Sequence, residues 1–199
     1  SDVYKRQTIY IPKKIKPHSS CICLKLISSQ HFTPNCCKIF QLQRGGQGKK
    51  SIQNGRFRGV GFIFYHGAFQ AQVAEISIST RGKIKVHNIV FVADCGQIIN
   101  PKLARQQVEG SIMFGLNAVL KGEINAKNGE ILQSNFDDYP MMKLKETPKI
   151  KIHFIQSQES PAGIGEIGTP LIGPVVANAV FAASGKRLRR LPIRLKDLV

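Results

Sequence analysis

A single carboxylate in a glycine-rich loop is the strongest candidate for chemistry in this 199-residue chain. Glu166 is the only ionisable side chain in residues 161–185, and three glycines surround it: Gly163, Gly165 and Gly168. Glycine lets a backbone approach a ligand closely. The pattern predicts a catalytic acid or base held beside a large ligand, whereas a plain strand-to-helix turn would explain the glycines without any function.

The three glycines also match G-x-G-x-x-G, the phosphate-binding fingerprint of dinucleotide folds, in which a helix opens within the glycines. Pro170 and Pro174 follow them, and proline is tolerated only in the first turn of a helix. We therefore expect a helix from about Pro174 to a left-handed stop at Gly185. Basic residues fill 186–190, where a dinucleotide fold needs an acid for the ribose. An NAD(P)-binding module that uses these glycines is the second hypothesis.

A long helix is predicted over residues 100–120, with Asn100 as its N-cap and Pro101 at its first position. At about 100° per residue, the face that carries Gln107 also carries Leu103, Gly110 and Phe114. A buried amide needs a hydrogen-bond partner. The sequence favours a backbone carbonyl of a neighbouring loop as that partner, and the functional alternative is a polar cofactor that lies across Gly110.

The remaining segments predict strands around these elements. Residues 59–65, 71–79 and 84–93 are apolar or alternating, and they form hairpins in a larger sheet. Residues 122–134 predict a second hairpin that turns at Asn128 and Gly129. Further strands are expected at 136–142, 149–156 and 191–193. This order of elements predicts an α+β fold, with a mixed sheet of hairpins and two main helices.

Charged residues are distributed unevenly along the chain. The formal net charge is +17, and residues 1–50 hold ten Lys or Arg and one acid, against nineteen and eleven in residues 51–199. A third hypothesis is therefore a small basic protein that binds nucleic acid through its N-terminal segment. The chain is 42% hydrophobic, which is enough for a core. It has no apolar run of membrane-spanning length.

Residues 1–50 differ from the rest of the chain in their sequence pattern. The first seven, SDVYKRQ, match an in-frame translation of a transposase-type sequencing adaptor, and residues 8–50 have neither helical nor strand periodicity. Four of the five cysteines lie here, with C-x-C and C-C spacings that are poor for zinc: Cys21, Cys23, Cys36 and Cys37. We predict that residues 1–50 are unrelated to the domain at 55–199.

Several motifs in consistent order resemble a known family. They are residues 93–124, 133–144, 147–157 and 163–193. Together they resemble the C-terminal end of the molybdenum hydroxylases, the xanthine dehydrogenase and aldehyde oxidase family. The similarity is greatest to the molybdopterin-binding large subunits of the bacterial isoquinoline 1-oxidoreductase and nicotinate dehydrogenase type. Family members are several times longer, so the resemblance implies a fragment of a catalytic subunit that is inactive alone.

The resemblance also implies roles for particular residues. Glu166 matches the active-site glutamate, a general base on a molybdenum-bound hydroxyl that attacks an aldehyde or N-heterocycle. Gln107 matches a glutamine that hydrogen-bonds the pterin, and Gly163, Ile164 and Gly165 match backbone near the metal. The implied cofactor is molybdopterin, as the cytosine dinucleotide, whose dithiolene holds the metal without a protein ligand. A 2Fe-2S cluster is expected only in a partner subunit, and neither nucleic acid nor a membrane segment is expected.

Overall fold

The computed structural model of the chain describes residues 55–194. Residues 1–50, including the four cysteines noted above, lie outside this range. The domain boundary placed between residues 50 and 55 therefore stays a prediction.

Four strands form one mixed sheet, in the order β1-β2-β3-β6. They are β1 (Arg56–Tyr65), β2 (Ala68–Ile78), β3 (Ile84–Asp94) and β6 (Lys149–Phe154). The first three pair antiparallel, and β6 pairs parallel with β3. The predicted strands at 59–65, 71–79, 84–93 and 149–156 are confirmed, with shifted ends. A parallel pair needs a crossover connection, and the segment between β3 and β6 supplies it.

The turn between β1 and β2 is tighter than the sequence pattern predicted. Only His66 and Gly67 separate the strands, with φ of 51° and 78°. Two successive residues with positive φ are typical of a type I′ hairpin, whose twist matches that of the flanking strands. Strand β2 consequently begins at Ala68, three residues before its predicted start.

Helix α1 (Pro101–Leu120) confirms the prediction made from its capping residues. The side chain of Asn100 accepts a hydrogen bond from the backbone N–H of Leu103 at 3.1 Å. The buried face of α1 includes Ala104, Val108, Ile112 and Leu116, which recur every four residues. The face that carries Gln107 is exposed, so the helix is anchored through the opposite face.

Helix α2 (Thr169–Ser184) begins earlier than predicted. The expected start near Pro174 is wrong, because Pro170 occupies the first turn and Pro174 lies inside the helix. An internal proline loses one backbone hydrogen bond. Packing offsets this loss, since α2 is buried along most of its length against β1, β2 and α1. The predicted left-handed stop is confirmed at Gly185, with φ of 75°.

Three glycines, which have no side chain, allow α2 to lie close to its neighbours. A Cβ at Gly59 would overlap the backbone of Val175 and Ala179, and a Cβ at Gly61 would lie 2.6 Å from a side-chain carbon of Val175. On α1, a Cβ at Gly115 would lie 2.6 Å from a methyl of Ile172. Helix α2 therefore packs between the sheet and α1 so closely that no side-chain atom fits at these glycine positions.

The segment between α1 and β6 is less regular than predicted. The hairpin at Asn128 and Gly129 is confirmed, but its strands β4 (Ala126–Lys127) and β5 (Glu130–Ile131) are short. No strand forms at 136–142 or 191–193. Asp138 instead accepts hydrogen bonds from the backbone N–H groups of Ser134 and Asn135, which closes a turn.

The fold class is α+β, as predicted, with one mixed sheet and two main helices. Neither helix in residues 55–194 combines the length and hydrophobicity needed to cross a membrane.

A buried carboxylate ties the first two strands together and predicts acid sensitivity. Glu75 accepts hydrogen bonds from Arg56, Arg58 and Asn88 at 2.8–3.2 Å. Burial raises the pKa of Glu75, but these three donors together outweigh it, so the net pKa lies below the ordinary 4.5. A depressed pKa contributes stability above the ordinary pKa, and this contribution is lost as pH falls below it.

We therefore expect Glu75→Gln to lower the free energy of unfolding of the protein by about 1–2 kcal/mol at neutral pH. The difference from wild type should shrink as pH falls below 4.5. Thermal unfolding between pH 3 and pH 7 checks this, with the exposed Glu130→Gln as the matched control. A difference that stays constant over this pH range would contradict the assignment.

Candidate functional site

The loop that carries Glu166 joins β6 to α2 and is fixed from three sides. On the first side it runs beside the chain that follows β3. The N–H of Gln97 donates to the carbonyl of Glu159, and the N–H of Ala162 donates to the carbonyl of Cys95, both at 2.9 Å. Between them, Gly96 has φ of 72° and lies against the backbone of Ser160. The loop therefore begins as an extension of the sheet.

Helix α1 holds the loop from the second side. The Gln107 side chain donates from Nε2 to the carbonyl of Gly165 at 2.5 Å. One turn later, Ser111 Oγ accepts from the N–H of Gly168 at 3.1 Å, and Thr169 donates back to the carbonyl of Ser111. The backbone-carbonyl partner that the sequence favoured for Gln107 is thus confirmed.

The sheet holds the loop from the third side, through residues that the sequence analysis missed. Tyr65, at the end of β1, donates its hydroxyl hydrogen bond to Glu166 Oε1 at 3.1 Å. Gln72 on β2 donates from Nε2 to the carbonyl of Gly168 at 3.3 Å. Gln70 and Gln72 are fully buried on the face that packs against α2. Two amide side chains on the core face of a strand are unusual. This pair of glutamines was the feature of the sequence that could have indicated the contact with the loop.

The candidate base itself remains accessible. Glu166 is exposed within the described part of the chain, although Ile167 and Gly168 beside it are buried. Residues 55–194 therefore do not bury this carboxylate. The backbone is anchored while the carboxylate faces outward, so a ligand can reach it.

A cleft of about 450 Å³ lies beside the loop. Its apolar walls include Ile98, Leu103 and Ile164, and its polar groups include Gln97, Asn100 and Gln107. Three of the residues predicted to contact the cofactor, Gln107, Ile164 and Gly165, line this cleft, whereas Gly163 and Glu166 lie outside the lining. The volume falls within the roughly 300–1,000 Å³ of small-molecule sites.

The thiol of Cys95 also lines this cleft. Burial, followed by the negative charge of Asp94, raises the pKa of Cys95 to about 11. The side chain is therefore a neutral thiol at physiological pH and contributes an apolar surface. No group of three or more His, Cys, Asp or Glu side chains in residues 55–194 is placed to hold a metal ion. A metal at this cleft would need ligands from a cofactor or from other parts of the protein.

The cleft has free space and hydrogen-bonding groups for a ligand. A Cβ at Gly165, which lines the cleft, would meet nothing within 4 Å, and neither would one at Gly110, on the exposed face of α1 that carries Gln107. Amides at Gln97, Asn100 and Gln107 can satisfy the hydrogen-bonding edges of such a ligand. The residues present therefore fit a pterin.

The family model for the molybdopterin cofactor-binding domain matches residues 29–148. The chain belongs to this family. The match includes Gln107 and helix α1, and it ends before the loop that carries Glu166. It also includes residues 29–54, which lie outside the described residues.

Curated relatives of the chain are oxidoreductases. It is 34% identical over 128 residues to the membrane-bound aldehyde dehydrogenase [pyrroloquinoline-quinone] of Gluconacetobacter polyoxogenes, covering 64% of this chain and 17% of that protein. It is 31% identical over 137 residues to isoquinoline 1-oxidoreductase subunit beta of Brevundimonas diminuta, covering 68% and 18%. The chain thus spans less than a fifth of the length of either relative.

Solved structures share the fold. Quinoline 2-oxidoreductase from Pseudomonas putida 86 superposes with a TM-score of 0.60 at 22% identity, over 65% of this chain and 18% of that one. CO dehydrogenase from Oligotropha carboxidovorans superposes with a TM-score of 0.54 at 26% identity, over 59% and 16%. The α+β architecture described above is therefore that of molybdopterin-binding domains.

The NAD(P)-binding hypothesis required a helix that begins by Gly165 within a parallel βαβ unit. Helix α2 begins at Thr169, and its N-cap is Gly168, so the glycines precede the helix. The parallel pair β3 and β6 lies upstream of the glycines, and within residues 55–194 no strand follows α2. The geometry therefore gives this hypothesis no support.

Proposed function

We propose that the chain is part of the catalytic subunit of a molybdenum hydroxylase, in which Glu166 is the general base. The observation that carries this proposal is the contact between Gln107 and the carbonyl of Gly165. It joins the cleft, where a pterin fits, to the residue that directly precedes Glu166.

Gln107, Ile164 and Gly165 would hold the pterin edge within the cleft. The bound cofactor supplies the two-electron oxidation of a substrate carbon with oxygen derived from water. Membership of the molybdopterin-binding family supports the pterin, and the cytosine dinucleotide form is part of the proposal. Electrons would leave through a 2Fe-2S cluster in a partner subunit, in keeping with relatives that are named as subunits.

Glu166 would take the proton of the attacking nucleophile. Tyr65 occupies Oε1, and within the described residues no group donates to Oε2. That second oxygen can therefore accept a proton, as a general base requires. The substrate would be an aldehyde or an N-heterocycle, in line with the names of the aldehyde and isoquinoline oxidoreductases. It would enter through the solvent-facing side of the carboxylate.

Cofactor content tests the assignment of the cleft. In the full-length subunit, Gln107→Leu removes the donor to Gly165 and leaves that carbonyl without its partner. We expect molybdenum and pterin content to fall by about 10-fold or more, since each lost hydrogen bond of this kind contributes roughly 0.5–1.5 kcal/mol and two partners are affected. Metal analysis and pterin fluorescence measure the loss.

The control is Gln133→Leu, because Gln133 lies outside the cleft and accepts a hydrogen bond from the N–H of Asn125. Normal cofactor content in Gln107→Leu would contradict the cleft assignment. A wild-type protein that carries pyrroloquinoline quinone and no pterin, as the name of one relative suggests, would overturn the proposed function.

A further inference from the structure

The tip of the β1–β2 hairpin lies against the loop that carries the candidate base. His66 and Gly67 form the turn, and a Cβ at Gly67 would lie 3.5 Å from that of Ala162. A Cβ at Gly163 would lie 3.6 Å from the Cβ of His66. Both turn residues thus lie close enough to the start of the glycine loop for an added Cβ to make contact, although the sequence separates them by nearly a hundred positions.

Tyr65 places a hydroxyl at the point where the hairpin meets Glu166. Its ring packs edge-on against His66, with centroids 4.2 Å apart, which limits the rotation of the ring. The hydroxyl then donates to Glu166 Oε1 at 3.1 Å. A hydrogen bond to an ionised carboxylate is among the stronger hydrogen bonds in proteins.

The backbone on either side of Glu166 is fixed by other groups. Gln107 holds the carbonyl of Gly165, and Ser111 and Gln72 hold the two backbone polar groups of Gly168. These contacts fix where the Cα of Glu166 lies. They do not fix the side-chain torsions of an exposed glutamate, and within the described residues Tyr65 is the group that donates a hydrogen bond to its carboxylate.

We propose that Tyr65 is a positioning residue for the candidate base, holding Glu166 Oε1 so that Oε2 faces the reacting group. This inference rests on the proposed function. It adds the β1–β2 hairpin tip to a site otherwise built from α1 and the glycine loop. Orientation matters because a proton-transfer group must lie within hydrogen-bond reach of its target.

The test is Tyr65→Phe in the full-length holoenzyme. Phenylalanine retains the ring that packs against His66 and removes only the hydroxyl. We expect kcat to fall about 10–100-fold, as for the loss of a hydrogen bond to a charged group, with KM within about 2-fold and molybdenum content unchanged. The matched control is Tyr139→Phe, because the Tyr139 hydroxyl lies near Gly122, at the far end of α1.

A double-mutant cycle separates positioning from a general structural effect. In the Glu166→Gln background, Tyr65→Phe should lower kcat by less than about 2-fold, because the two residues act as one unit. A full 10–100-fold loss in that background would overturn the proposal. It would mean that Tyr65 acts independently of Glu166.

Hydrogen exchange in the cofactor-free subunit gives a readout that is independent of activity. Tyr65→Phe should leave exchange at the amide of Gly168, which donates to Ser111, within about 2-fold of wild type, because Gln107, Ser111 and Gln72 still hold the backbone of the loop. Tyr139→Phe should behave in the same way. A rise of about 10-fold or more in Tyr65→Phe would overturn the positioning role, because Tyr65 would then support the loop as a whole.

Two patterns of failure are distinguishable. If Glu166→Gln turns over normally, the proposed function fails, whatever Tyr65 does. If Glu166→Gln is inactive while Tyr65→Phe matches Tyr139→Phe in kcat, only the positioning role fails.

Discussion

Replacement of Glu166 by glutamine in the full-length holoenzyme is expected to lower kcat on the order of 10²–10⁴-fold, the usual contribution of a general base. Glutamine retains the size of the side chain and an oxygen that can accept from Tyr65, so the loop should keep its place. It cannot take a proton at neutral pH. Steady-state turnover of an aldehyde or N-heterocycle, with molybdenum content measured on the same samples, checks this.

Glu130→Gln is the matched control, since Glu130 lies exposed on the short strand β5. It should leave kcat unchanged. Turnover of Glu166→Gln within about 2-fold of wild type would remove the base from the mechanism, whereas inactivity together with loss of molybdenum would assign Glu166 to cofactor binding.

Gly59→Ala is expected to be the most destabilising single substitution considered for this fold. The new methyl would overlap the backbone of α2 at Val175 and Ala179. Backbone cannot rotate away as a side chain can, so α2 must shift from the sheet. We expect the free energy of opening of α2 to fall by about 3 kcal/mol, the upper end of the usual range for overpacked cores.

Native-state hydrogen exchange of α2 amides in the cofactor-free, full-length subunit measures this change. Gly110→Ala is the contrasting glycine, because its Cβ would meet open space within a helix. That variant should stabilise α1 by about 0.5–1 kcal/mol. Equal effects of the two substitutions would show that close packing of α2 against β1 is not what Gly59 provides.

Because α2 directly follows the glycine loop, the packing of α2 at Gly59 and the position of Glu166 are physically linked. A shift of α2 would move Thr169 and Gly168, which are held by Ser111. The position of Glu166 therefore depends on a close approach between a helix and a strand at some distance from the candidate chemistry.

Local signals in the sequence were sufficient for the elements with strong capping or turn residues. Asn100 and Pro101 predicted the start of α1 because the cap is a hydrogen bond between residues three apart. Asn128 and Gly129 predicted the small hairpin because both adopt positive φ. The sequence also identified Glu166 as the lone acid of residues 161–185, and ordered motifs indicated the family.

Contacts between distant residues decided the rest. The predicted strand at 136–142 gave way to a turn stabilised by Asp138. The start of α2 could not be inferred from its prolines, because burial against β1 and α1 compensates for the proline inside the helix.

The sequence by itself therefore determined the family, the α+β class, the carboxylate and the amide of the candidate site. Only the tertiary structure decided that Gln107 holds Gly165 across 58 residues and that Tyr65 holds Glu166 across 101. The physical reason is the distance along the sequence between the groups that interact. Caps and turns are set by backbone groups a few residues apart, whereas an active-site geometry depends on which surfaces pack together after the sheet and helices have formed.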